Sequence, residues 1–73
     1  MTREELDYIL SDIEHKEKSL IEEFDNIKKE LKQVADEGGN VTPLIQRLHD
    51  NLFNRGELLK QYRMAYKDFH NVN

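Results

Sequence analysis

In the first half of the chain the apolar residues step alternately by four and three positions: Leu6, Leu10 and Ile13, then, with Glu17 in the gap, Leu20, Phe24, Ile27, Leu31 and Val34. A seam with this spacing, sustained over several repeats, predicts a long helix packed in the manner of a coiled coil. Thr2 and Glu5 form a Thr-x-x-Glu capping box at its start, and no proline or glycine interrupts it before residue 37. At the rise of an α-helix such an element is roughly 50 Å long, too long for a compact monomeric core.

Gly38-Gly39-Asn40 breaks the pattern, and Val41-Thr42-Pro43 restarts it, with Thr42 placed to cap a second helix and Pro43 at its first position. The second seam reads Ile45, Leu48, Leu52, Arg55, Leu59, Tyr62, Tyr66 and Phe69, again in threes and fours. So short a connection makes the two helices antiparallel neighbours. If Val34 faces Ile45, one register carries through Leu31 with Leu48, Ile27 with Leu52, Phe24 with Arg55, Leu20 with Leu59, Glu17 with Tyr62, Ile13 with Tyr66 and Leu10 with Phe69. The expected fold is therefore all-α. It is a single antiparallel two-helix hairpin over residues 1–73, with helices at 2–37 and 43–70 and a turn at 38–42.

Two residues stand against this pattern. Arg55 occupies a seam position, where its stem can pack and its guanidinium can use the Phe24 ring face. With Glu17 and Tyr62 it predicts a polar layer in the seam, of the sort that fixes register at some cost in stability. Gly56 follows at once, in a helix interior where glycine costs about 1 kcal/mol relative to alanine. It predicts either a close approach by another backbone or a bend. The helix is read as continuous through it.

A 73-residue chain is at most one domain, and so small a domain buries only about 60% of its unfolded surface, so self-association is a natural source of further burial. There is no cysteine, hence no disulfide frame or thiolate metal site. No apolar run approaches a membrane span, and the acidic start MTREELDYIL lacks the features of a signal peptide, so the expectation is a cytoplasmic protein with no membrane partner. Net charge is −4, which argues against a general phosphate-binding role, although residues 1–37 are acidic and residues 38–73 mildly basic. Arg47, Arg55, Lys60, Arg63 and Lys67 accompany tyrosines on the second helix, but those tyrosines belong to the seam, so nucleic acid is not the expected partner.

His15, His49 and His70 are too dispersed to share a metal ion, and no nucleophile stands with a base and an orienting acid. The reading is of a protein that is not an enzyme and has no cofactor and no metal. Ile45-Gln46-Arg47-Leu48-His49 resembles the Ser-Gln-x-Leu-Asp stretch of the short aspartyl-phosphate phosphatase hairpins of sporulating bacteria. It lacks the serine and the aspartate and lies closer to the turn, and the resemblance implies a shared hairpin architecture without the activity.

What is left is recognition of another protein: an adaptor, regulator or inhibitor that presents a helical face, with a structural coiled-coil scaffolding element as the alternative. Tyr8, Asp12, Glu22 and Glu23 form an acidic face on the first helix, suited to a basic surface. Ile9, Leu44, Leu58, Ala65 and Val72 fall on one flank and predict an apolar strip that a second copy covers, making a homodimeric four-helix bundle.

Overall fold

The structure, a computed structural model, describes residues 1–72, with the side chain of Val72 outside the described part. It consists of α1 (Arg3–Asp36) and α2 (Thr42–Val72) packed against one another as an antiparallel hairpin whose long dimension is 57 Å. At the start of α1 the Thr2 hydroxyl accepts from the Glu5 amide at 3.1 Å, the first half of the expected capping box. α2 runs unbroken through Gly56. A Cβ added there would meet no atom within 4 Å, so nothing inside the hairpin explains the glycine.

The turn is a closely made C-cap. Gly38 adopts φ +73°, and the Gly38 and Gly39 amides donate to the carbonyls of Ala35 and Val34 at 3.1 and 2.8 Å, the Schellman arrangement. Gly39 lies so tightly on α1 that a Cβ would stand 2.8 Å from Val34 Cγ1. Asn40, rather than Thr42, supplies the side-chain oxygen at the start of α2, accepting from the Thr42 amide at 3.1 Å.

On α1 the seam lies where the spacing puts it: Leu6, Ile13 and Ile27 are buried, and Leu10, Leu20, Phe24, Leu31 and Val34 are half-buried. On α2 half of the expected seam is corrected. Leu48, Arg55, Tyr62 and Phe69 do lie between the helices, but Ile45, Leu52, Leu59 and Tyr66 face outward, and Leu44, Asn51, Leu58 and Ala65 take their places. Three members of the anticipated dimer strip, Leu44, Leu58 and Ala65, are thus buried within one hairpin, and Ile9 is half-buried. Val72, the fifth, has its side chain outside the described residues.

The physical reason is that α2 carries more apolar rows than one helix can cover. Leu48, Tyr62 and Phe69 are flanked by Leu44, Leu58 and Ala65 on one side and by Ile45, Leu52, Leu59 and Tyr66 on the other. A single neighbour reaches the central row and one flank. On the side that is covered, the small Ala65 is buried and Asn51 reaches the Leu20 carbonyl on α1 at 2.9 Å.

Candidate functional site

The row left outside is regular. Ile45, Leu52, Leu59 and Tyr66 recur every seventh residue, close to two helical turns, so they form one line along α2 beside the seam. They are 50%, 49%, 54% and 37% exposed. Glu14, Ile21 and Lys28 repeat the same spacing on α1. Both rows flank the same side of the seam, because an open groove of about 680 Å³ there is lined by Ile13, Glu14 and Glu17 from α1 and by Leu52, Arg55, Gly56, Leu59 and Tyr62 from α2, with Leu58 at its floor. On the opposite side of the hairpin Lys16, Ser19 and Leu20 face Asn54, Glu57, Leu58 and Gln61 across a smaller hollow of about 390 Å³.

Arg55 does stack on Phe24, its Cζ 5.5 Å from the ring centroid, and Lys28 Nζ lies 4.9 Å from the same ring. Glu17, Arg55 and Tyr62 therefore come together at the groove, although Arg55 is satisfied by the ring and not by an ion pair with Glu17 among the described residues. Tyr62 packs edge-on to Tyr66 with centroids 5.2 Å apart. Its hydrogen bond to Tyr66, followed by the charge that Tyr66 develops on ionisation, holds the Tyr62 phenol above its usual pKa. Slight burial and the carboxylates of Glu14 and Glu17 push the same way.

The seam also holds a polar residue that the apolar spacing does not mark. Asn51 is 1% exposed, and its Nδ2 donates to the Leu20 carbonyl at 2.9 Å and to Glu23 Oε1 at 3.3 Å. Its Oδ1 is buried with no partner among the described residues. The signal for Asn51 was available: it stands seven residues from both Leu44 and Leu58, so the row that buries the leucines must bury the asparagine. An uncharged polar residue at such a position is a known means of fixing register.

The expected acidic face is only partly assembled. Tyr8 is strongly exposed, Asp12 pairs with Lys16 at 2.9 Å, and Glu22 is exposed. Glu23 turns to the edge of the seam to accept from Asn51. Across the helices Arg47 reaches Glu30 at 3.3 Å, a pair about half exposed on each side and hence a small contribution.

Among the described residues no three histidine, cysteine or acidic side chains stand where they would share a metal ion, and no helix is long and apolar enough to cross a membrane. No protein family, curated protein or solved structure matches the chain at a significant level.

Proposed function

We propose that the chain is a non-enzymatic protein–protein interaction module, a small adaptor, regulator or inhibitor, whose working surface is the face bearing Ile45, Leu52, Leu59 and Tyr66. The observation that carries this reading is the row itself: half-exposed aliphatic and aromatic side chains aligned along a helix, beside a groove. Scattered exposed apolar residues are ordinary on proteins, whereas a continuous line of them is the feature by which one helix docks on another. The four-helix bundle anticipated from the sequence belongs to this reading, with the outward row in place of Leu44, Leu58 and Ala65 as its contact. Asp12 and Glu22 then contribute to the speed of encounter with a basic partner more than to the affinity, with Tyr8 exposed beside them.

The test is affinity capture followed by mass spectrometry, comparing the native chain with a Leu52→Glu, Leu59→Glu variant whose helicity is first checked by circular dichroism. A protein retained by the native chain and lost by the variant supports the reading. Identical capture by the two, in a variant that is folded, removes the row from the function. The alternative, a structural coiled-coil element, is favoured by the 57 Å length of the hairpin and is recognised by growth beyond a closed oligomer as concentration rises.

A further inference from the structure

We infer that the occupant of the apolar face is a second copy of the chain, laid antiparallel across it, with a two-fold axis passing beside the Arg55–Gly56 peptide. This rests on the reading that the row is an interaction surface, and it adds which molecule sits there and in what register.

A two-fold contact brings a surface against itself, so its pattern must read the same from both ends. The row on α2 does. The point midway between Leu52 and Leu59 is the Arg55–Gly56 peptide, and the point midway between Ile45 and Tyr66 is the same peptide. Antiparallel pairing about it sets Leu52 against the second copy's Leu59, and Ile45 against its Tyr66. At the axis each helix meets its own equivalent most closely, and there the sequence has Gly56, beyond whose Cα lies open space. The residue that has no purpose within one hairpin removes the side chain that would hold two apart.

α1 carries the charge counterpart about the same axis. Glu14 and Lys32 lie about five turns apart, and Glu17 and Lys28 about three, so all four share the groove side of α1. Both pairs have their midpoints at residues 22–23, level with Arg55–Gly56, because neighbouring Phe24 holds Arg55 against its ring. Turning the second copy about the axis therefore puts its Lys32 and Lys28 over Glu14 and Glu17, and the reverse. The complementarity is of opposite charges, each acid meeting a base it cannot reach in its own chain. Since the axis lies near mid-length of both helices, the two faces overlap almost fully. A face of 57 by 15 Å is then comparable with the area of about 800 Å² per partner in a standard specific interface.

Light scattering coupled to size exclusion at micromolar concentration is expected to give the mass of two chains. Gly56→Leu leaves the hairpin folded and at least as helical by circular dichroism, since its side chain enters open space and leucine favours the helix, and weakens the dimer at least about tenfold, the equivalent of 1.4 kcal/mol. Glu14→Lys alone weakens it, and Glu14→Lys with Lys32→Glu restores it, a rescue that the separation within one chain does not allow. The native chain has no cysteine, so single substitutions map the axis: Gly56→Cys oxidises to a self-linked dimer, while Ile45→Cys links only to a copy carrying Tyr66→Cys. A single-chain mass throughout, or Ile45→Cys linking to itself, overturns the inference. If the mass is that of one chain yet a foreign protein is still captured through Leu52 and Leu59, the interaction reading stands and only the second copy is removed.

Discussion

Leu58 and Leu59 are adjacent and chemically identical, yet one is 8% exposed and the other 54%. The same division separates the two rows to which they belong. The covered row, Leu44, Asn51, Leu58 and Ala65, contains an amide and a methyl; the uncovered row, Ile45, Leu52, Leu59 and Tyr66, contains no residue so polar or so small. Burial here does not follow hydrophobicity. It follows the fit that a small residue and a hydrogen-bonded amide allow. The more apolar row is left on the surface, and that is the condition for it to act as a surface.

The adjacent leucines give the sharpest test of this division. Leu58→Ala is expected to destabilise the hairpin by about 2–3 kcal/mol, because it opens a void at the seam. Leu59→Ala removes side-chain surface already half in water and should cost less than about 1 kcal/mol. Urea unfolding at the lowest workable concentration measures both, and equal midpoints would erase the distinction between the rows.

Asn51→Leu breaks the comparison by making both rows apolar. It removes a buried oxygen that has no partner, and the Leu20 carbonyl is already within a helix, so a gain of about 1–2 kcal/mol is expected. The accompanying change is a loss of uniqueness: with either flank now acceptable to α1, a nitrogen–proton NMR spectrum should show doubled or broadened peaks in α2. A variant that gains stability and keeps a single set of peaks would deny Asn51 a role in choosing the row.

Gly56→Ala has a smaller effect, a gain of about 1 kcal/mol in the unfolding free energy of the single hairpin, from helix propensity with no steric opposition. A loss instead would mean that the helix relies on the glycine within one chain. The smallest effect is one of pH. Tyr62 binds its proton more tightly when folded than the ordinary value of 10.0, so the associated stability is present below that pH and is lost as pH rises through the raised value. Following the unfolding midpoint from neutral to strongly alkaline solution, Tyr62→Phe should show a shallower decline than the native chain.

The helices, their ends to within a residue or two, and the whole α1 seam were legible because α1 has a single apolar face, flanked by charges that admit no other phase. Arg55 on Phe24 was legible for the same reason, since the row to which Arg55 belongs is shared by both possible seams of α2. The choice between Ile45, Leu52, Leu59 and Tyr66 on one flank and Leu44, Asn51, Leu58 and Ala65 on the other was not. Counting apolar residues favours the first set, and the reach of Asn51 to a carbonyl on α1, which goes with the second, is three-dimensional. The burial of Leu44 and Leu58 within the hairpin is therefore not legible in the sequence, although the surplus of apolar rows is.

The turn has a consequence for how the chain acquires its structure. Beyond the Gly39–Val34 closure, the Arg47–Glu30 pair across the helices spans 17 residues, and Asn51 with Leu20 spans 31. Nearly doubling a loop costs only about 0.6 kcal/mol in closure entropy, so each contact brings the following one within easy reach. Such a chain closes progressively from the turn, with the low contact order of rapidly folding helical proteins. In that sequence of events Gly39 acts early and Leu6 and Ala65 late. A side chain at Gly39 would slow folding, whereas a weakened contact at the far end would mainly hasten opening.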